Sequence, residues 1–290
     1  MSHEAEYNKA KAMVEHLNMG IISHLENKLG VFKVDPVEKR PVERPVLIAW
    51  EQRNTTLLPE DLKNFYMTSN GYHLSWSVKM ENGPLPLGRL HVNGIGQLAR
   101  LNQPPETVSH VAPSLNDLDL DSDDETDGPS KPKFTGGFRM FELDPCDGYG
   151  KVCLVYREQR QGTGSSEMTS EVWFLDRALC WHYLAATFTD YFRLMFMHLG
   201  LPHWQYAFTD IGIPPQAKQW FHLYAPTRQE IDTSTPREAQ GISSSGIGSR
   251  IAFDPTKVFK GKNDRKSASS SGTKSLSTSS SSQSLVKSSR

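Results

Sequence analysis

The side chains able to do chemistry are numerous in this chain, so their spacing decides what they can do. Asp117, Asp119, Asp121 and Asp123 alternate as the first ligands of a calcium-binding EF-hand do. With Asp117 as first ligand, Ser122 stands where the sharp turn needs glycine and Gly128 where a bidentate glutamate belongs. Starting at Asp119 puts Asp124 and Ser130 there, so both registers fail and a solvated acidic loop remains. The ten histidines are scattered and no H-E-x-x-H occurs, which argues against a zinc site. Gly162-Thr163-Gly164 has the continuation of neither phosphate-binding glycine motif, G-x-x-x-x-G-K-S/T or G-x-G-x-x-G, and reads as a strand connection. No G-x-S-x-G nucleophile turn is present. Cys146, Cys153 and Cys180 form no C-x-x-C pair, and Cys153 and Cys180 sit in apolar runs that read as core. Glu51, a lone acid beside Trp50, reads as a cap or as solvated. No catalytic, cofactor-binding or metal-ligating residue is therefore expected.

Composition sets the remaining bounds. A formal net charge of −1 over 290 residues argues against a nucleic-acid-binding surface. Hydrophobic residues at 37% support a sizeable core, while no apolar run reaches the length of a membrane span. Three cysteines, an odd number without a pairing pattern, fit a reducing compartment. Glu4, Glu6, Lys9 and Lys11 leave no apolar signal region at the N-terminus, so a cytoplasmic protein is expected.

The elements that would position such residues are organised around 50–78. Pro59 suits a first helical turn, Glu60 and Asp61 suit its positive end, and Leu62, Phe65 and Tyr66 make an apolar stripe. Asn70-Gly71 stops the helix, since both tolerate left-handed backbone. Tyr72, Leu74, Trp76 and Val78 then alternate with His73, Ser75 and Ser77 as a half-buried strand does. Upstream, Val14, Leu17, Ile21 and Leu25 predict an amphipathic helix over 6–29, and 31–46, with Pro36, Pro41 and Pro45, reads as extended or loop with a short strand near 31–34. Downstream, 85–92 reads as a strand entered through Asn82-Gly83, and 95–101 as a short helix. The acidic stretch 113–133 predicts a disordered insert within the domain. Strands follow at 138–143, 151–156 and 171–175, the last two apolar on both faces as central strands are. The run 177–199 reads as the longest helix, closed by Gly200, and Pro214-Pro215 opens a short helix over 217–223.

Aromatic density peaks late in the chain. Trp204, Tyr206, Phe208, Trp220, Phe221 and Tyr224 fall within 203–224. They either close the core or seat a partner protein, a composition that interfaces favour. Trp204, Tyr206, Trp220 and Phe221 are the candidate partner contacts, joined by Phe253 and Phe259 of a small apolar island at 251–260. Order is expected to decay beyond Pro226, and 227–290, Ser-rich and basic at its end, reads as a largely disordered tail. The architecture expected is α+β: one domain over 6–226, a mostly antiparallel sheet flanked by helices.

Several blocks point to a family. WEQRN…LPEDLKNFY…NGYHLSWSV at 50–78, GKVCLVY at 150–156, EVWFLDRALCWHYL at 171–184, HLGLPHWQYAFTDIGIPPQAKQWF at 198–221 and DPTKVFKGKN at 254–263 resemble the tubulin polyglutamylase complex subunit 2 family. The resemblance covers roughly 10–262. More loosely, Leu58, Pro59, Asp61, Phe65, Tyr66, Asn70 and Gly71 are similar to a superfamily of fungal cell-wall-assembly regulators and bacterial toxin-immunity proteins. The resemblance implies a non-catalytic scaffold or adaptor in a complex that adds glutamates to tubulin tails. It also implies a tubulin-tyrosine-ligase-like glutamylase catalytic subunit as partner, with ATP and magnesium bound there and not here. Contact with tubulin or microtubules, and residence at the cytoskeleton, centrosome or cilium basal body, belong to the same expectation. A stand-alone protein-binding domain is the alternative, and an enzyme with an unrecognised site a further one.

Overall fold

Pro59 opens the segment on which the fold is built. With φ −55° and ψ 142° it is the N-cap of helix α3 (Glu60–Thr68), one position before the first helical turn. Asp61 in that turn serves a second helix as well: its Oδ2 accepts from the Thr189 N–H, 2.8 Å, at the start of α4 (Phe188–Met197). After α3 the chain turns sharply at Gly71, φ +85°, where a Cβ would stand 2.5 Å from the Val92 carbonyl oxygen. Glycine is therefore required by conformation and by space. Asn70 does not adopt left-handed backbone as expected of a cap; its Oδ1 instead accepts from the Ile95 N–H at 2.9 Å.

In this computed structural model the described residues are 3–101, 131–133, 138–160 and 166–234, all in one compact unit. The fold is α+β, a single domain of antiparallel sheets flanked by helices, as the pattern predicts. Strands β1 (Val31–Pro36), β2 (Tyr72–Met80) and β3 (Gly83–Val92) form a three-stranded sheet in that order. The β2–β3 hairpin closes through Glu81-Asn82, with Met80 opposite Gly83. Pro84 and Pro86 are tolerated because β3 is an edge strand. Strands β4 (Arg139–Asp144), β5 (Gly150–Arg160), β6 (Ser166–Asp176) and β7 (Trp181–Ala185) make a four-stranded meander with β5 and β6 central.

The two sheets share one core. Tyr72, Leu74, Trp76 and Val78 of β2 point into it with Leu154, Val172 and Phe174 of the second sheet. Helix α1 (His3–Glu26) contributes Val14, Ile21 and Leu25; α3 contributes Leu62, Phe65 and Tyr66; α4 contributes Phe188, Tyr191, Phe192 and Met195. The second sheet is buried on its other face too, where Met140, Cys153, Val155, Trp173, Leu175 and Trp181 pack together. Asn93 rivets the sheets: its N–H donates to the Leu143 carbonyl at 2.7 Å and its Nδ2 to the Glu142 carbonyl at 3.0 Å.

Four expectations are corrected. The run 177–199 is not one helix. Asp176 Oδ1 accepts from the Cys180 N–H at 2.8 Å and Leu179 turns with φ +64°, so Trp181–Ala185 folds back as β7 on β6. The helix begins only at Phe188, after Thr187, whose Oγ1 accepts from the Asp190 N–H. The longest helix is α1, 24 residues. The 95–101 segment is a turn, closed by Leu98 N–H to the Gly94 carbonyl, and then lies beside β4 through Leu101 N–H to Met140 O, 2.9 Å. Helix α2 (Arg44–Asn54) has no counterpart in the sequence pattern and starts within the 31–46 stretch that reads as extended or loop; Pro45 lies in its first turn, where proline starts helices. Beyond Pro226 the chain forms α6 (Pro226–Ser234), following α5 (Pro215–Tyr224). The 113–133 insert lies outside the described residues except for 131–133, and the tail beyond 234 lies outside them entirely.

Trp76 is the most constrained side chain of β2. Its indole N–H donates to the Leu199 carbonyl at 2.8 Å, and a Cβ on Gly88, its cross-strand neighbour, would collide with the ring. A Gly88→Ala variant is expected to lose about 1–3 kcal/mol of stability in urea unfolding, whereas Gly20→Ala, with open space around it, keeps or gains stability.

Candidate functional site

The chain leaves α4 through two left-handed residues, Leu199 (φ 56°) and Gly200 (φ 59°). It then enters a 3-10 helix, Trp204–Phe208, behind His203, which is also left-handed at φ 59°. This path decides which aromatic rings face inward. Trp204 is 2% exposed, stacked between Tyr191 (6.1 Å) and His198 (4.9 Å). Phe221, on the inner face of α5, is fully buried. Of the expected partner contacts these two are interior packing. Tyr206 and Trp220 are half-buried: Trp220 lies over Tyr224, 6.4 Å between centroids, and Tyr206 meets Phe174 edge-on at 5.3 Å. Phe253 and Phe259 lie outside the described residues.

Around Tyr206 the structure brings together side chains from separate stretches of the chain. The Tyr206 hydroxyl donates to the Tyr149 carbonyl at 2.9 Å. The Tyr149 ring, 41% exposed, lies 3.9 Å from the His203 ring, and Ile211 in the following loop is 75% exposed. Burial lowers the His203 pKa, so this imidazole is neutral at pH 7. Rings with polar tips, set beside an exposed aliphatic side chain, are the composition of a protein-binding surface. Tyr149 carried no signal beyond its place in the Asp147-Gly148 turn, because the contact that recruits it spans 57 residues.

Beneath this surface lies a polar cluster. Arg89 of β3 reaches Asp144 Oδ1 at 3.4 Å and Asp147 Oδ1 at 3.0 Å. Asp144 Oδ1 also accepts from the Cys146 N–H at 3.0 Å, and Gln205 Nε2 contacts Cys146 Sγ at 3.3 Å. Burial raises the Asp144 pKa to about 6 although the Arg89 guanidinium pulls it down. Burial also raises the Cys146 and Cys153 thiols well above their usual range, so neither is a thiolate nucleophile. Cys180 is exposed, not core. On the same polar face of the first sheet, His73 and His91 place their Nδ1 atoms 3.2 Å apart. Burial, then Arg89, pushes His91 down to about 4, so it is neutral. The Arg89–Asp144 pair joins the two sheets, whereas the two histidines sit side by side within the first.

A groove of about 210 Å³ lies between α2 and α3, lined by Arg44, Leu47, Ile48, Glu51, Glu60, Lys63 and Met67. Glu51 is neither a helix cap nor solvated: its Oε1 accepts from the Leu58 N–H, ahead of α3, at 2.8 Å and pairs with Lys63 at 3.2 Å. Among the described residues no group of three or more His, Cys, Asp or Glu is placed to hold a metal ion.

Tyr149, Ile211, Tyr206 and Trp220 thus reach the surface around the 3-10 helix, while Asp144, Cys146 and Cys153 are buried. No family model and no solved structure matches the chain. Characterised relatives do. It is 44% identical over 256 residues to the rat tubulin polyglutamylase complex subunit 2, covering 88% of this chain and 83% of the relative. The mouse protein of that name gives the same identity and coverage. The human one is 42% identical over 255 residues, with 88% and 81% covered. The chain belongs to the tubulin polyglutamylase complex subunit 2 family.

The packing separates two tryptophans that look alike in the sequence. Trp204→Ala is expected to cost about 3–5 kcal/mol by chemical denaturation, and Trp220→Ala under half of that. Asp144 makes stability pH-dependent with a defined sign. Its raised pKa means that the folded state holds more protons between the ordinary carboxylate value of 3.8 and about 6, so stability falls as pH rises through that window. The fall is expected to be of order 3 kcal/mol between about pH 4 and pH 7, and to be absent in Asp144→Asn when the two are compared by urea unfolding.

Proposed function

We propose that this chain is a non-catalytic scaffold or adaptor subunit of a tubulin polyglutamylase complex. The observation that carries the reading is the 44% identity to proteins of that name across 88% of this chain and 83% of theirs. Similarity of that length spans core and surface alike, so it extends to the faces that make an obligate subunit. The division of labour follows from the side chains. The buried thiols are held protonated, Asp144 is occupied by Arg89 and a backbone N–H, and the groove between α2 and α3 has its acids paired with Lys63. Glutamate ligation is the work of a tubulin-tyrosine-ligase-like partner subunit. This chain supplies binding surface, through Tyr206, Tyr149 and Trp220 and through Phe253 and Phe259 of the 251–260 segment. The basic tail (Lys260, Lys262, Arg265, Lys266, Lys274, Lys287, Arg290) adds weak, salt-sensitive attraction to acidic tubulin tails. The complex acts in the cytoplasm on the microtubule cytoskeleton, including centrosomes and basal bodies.

The test is purification of the tagged chain from ciliated cells, with ATP-dependent glutamate incorporation into microtubules assayed in the eluate and in the recombinant chain alone. Activity in the eluate and none from the pure chain is expected; activity from the pure chain overturns the reading. Tyr206→Ala and Trp220→Ala are expected to lower recovery of the ligase-like partner by roughly tenfold or more while the melting temperature stays within a few degrees. Unchanged recovery removes those two side chains from the interface.

A further inference from the structure

His73 of β2 stands directly opposite His91 of β3 in the antiparallel register, and both rings are half-buried on the polar face of the first sheet. Their Nδ1 atoms lie 3.2 Å apart, with the rings edge to face at 77°. Two N–H groups cannot face each other at that distance, so at least one Nδ1 is a bare lone pair.

Asn93 decides which one it is. Its Nδ2 donates to the Glu142 carbonyl at 3.0 Å, which turns its Oδ1 toward His91 Nε2, 3.1 Å away. An amide oxygen only accepts, so His91 carries its proton on Nε2 and leaves Nδ1 bare. His73 donates its own Nδ1–H to that lone pair. This is how histidine metal ligands are supported: one ring nitrogen donates to an oxygen, which fixes the tautomer and aims the other nitrogen at the ion. The spacing fits as well. Two nitrogens bound to one tetrahedral zinc ion at about 2.0–2.1 Å stand roughly 3.3 Å apart, and strand pairing already holds these two at 3.2 Å. The histidines are 18 residues apart in the chain, so no short-spacing zinc motif announces them.

The surrounding charges narrow the choice of ion. Arg89 and Lys39 act on His73 as cations, and Asp147 and Asp35 oppose them. Arg89 is offset by its own pairs with Asp144 and Asp147, at 3.4 and 3.0 Å. An ion held by charge alone gains little here, and magnesium and calcium prefer oxygen ligands; zinc, copper and nickel suit imidazole.

We propose that His73 and His91 form a two-point binding site for a divalent metal ion of the zinc class, which clamps β2 to β3 through the two Nδ1 atoms. On binding, the single proton of His73 moves from Nδ1 to Nε2 by way of solvent, and no proton is gained or lost overall. No third His, Cys, Asp or Glu among the described residues completes the set, so water takes the remaining positions. The site needs only the β2–β3 hairpin and is independent of the complex.

The experiment is titration of the metal-free full chain with zinc chloride at about pH 7.5, followed by calorimetry and by nitrogen-15 shifts of the histidine rings. Saturable binding is expected, with metal-type shifts at Nδ1 of His73 and His91, and none with magnesium chloride. Zinc is expected to raise the melting temperature of the parent. His73→Gln, a half-buried substitution, is expected to weaken zinc binding by about tenfold or more and to remove that rise, while the metal-free melting temperature stays within a few degrees. His16→Gln, exposed on α1, is expected to bind as the parent does. Absence of saturable binding, zinc shifts that spare His73 and His91, or a His73→Gln variant as tight as the parent would each overturn the proposal.

Discussion

Phe65 is one residue of a nine-residue helix, yet its ring joins α3 to α4 and, through Phe192, to β2. Phe188 lies 4.9 Å and Phe192 5.2 Å from it, centroid to centroid, and Tyr66 beside it is fully buried. Phe192 carries the contact on to Tyr72 at the start of β2 (5.5 Å) and to Phe196 (4.8 Å). Each such ring removes enough apolar surface from water to stabilise the fold by roughly 1.5–3 kcal/mol, with about 0.5–1.5 more from ring geometry. The constraint behind this seam is size. A three-stranded sheet and a four-stranded sheet each need a cover for their inner faces. One shared aromatic layer, α3 against α4, provides it for both. Asn93 and Asp61 fix the alignment, the first by bridging the sheets and the second by capping α4 from α3.

That economy shapes what reaches the surface. One polar cluster lies at the joint between the sheets, where Arg89, Asp144, Asp147 and Cys146 satisfy one another. Outside, among the charged groups of the surface, stand aromatic and aliphatic side chains: Tyr149, Tyr206, Trp220 and Ile211. A subunit whose proposed work is to hold others needs such a face, and it needs the joints beneath to be rigid. The Tyr206–Tyr149 hydrogen bond ties the 3-10 helix to the turn that presents Asp147, so the outer rings and the inner ion pairs are parts of one support.

Local pattern carried much of the architecture. The period-two run from Tyr72 to Val78 and the two-faced apolar runs of β5 and β6 are strands of the predicted kind, and the latter are the central ones. Where reading by pattern failed, a short polar signal was outvoted by a long apolar one. Thr187, three residues before Asp190, is a helix start, but Trp181 to Leu184 looked like more of the same helix. Pro45 was taken for a loop residue, though proline in a first turn starts helices. Of the candidate contacts, the half-buried tyrosine and tryptophan could not be told from buried Trp204 and Phe221, because spacing reports a face only after the element is correct. The polar joints were illegible for another reason: Arg89, Asp144 and His198 find partners on other elements, and no window of sequence contains both halves.

The ties that close the molecule are also its longest in sequence. The Trp76 indole reaches a carbonyl 123 residues later, and the Tyr224 hydroxyl reaches back 195 residues to Leu29. Apart from β1 with β2, which α2 and α3 separate, the strand pairings join strands consecutive in the chain, and such local pairings form early. The inner face of β2, by contrast, lacks the part of its cover that α4 and α5 supply until those helices have been made. At a synthesis rate of roughly 5–20 residues per second, the 123 residues after Trp76 take roughly 6–25 s to appear. Throughout that interval a row of Tyr72, Leu74, Trp76 and Val78 stands only partly covered on a nascent chain. The same long-range closure that makes the finished domain compact makes its birth on the ribosome dependent on shelter from other chains.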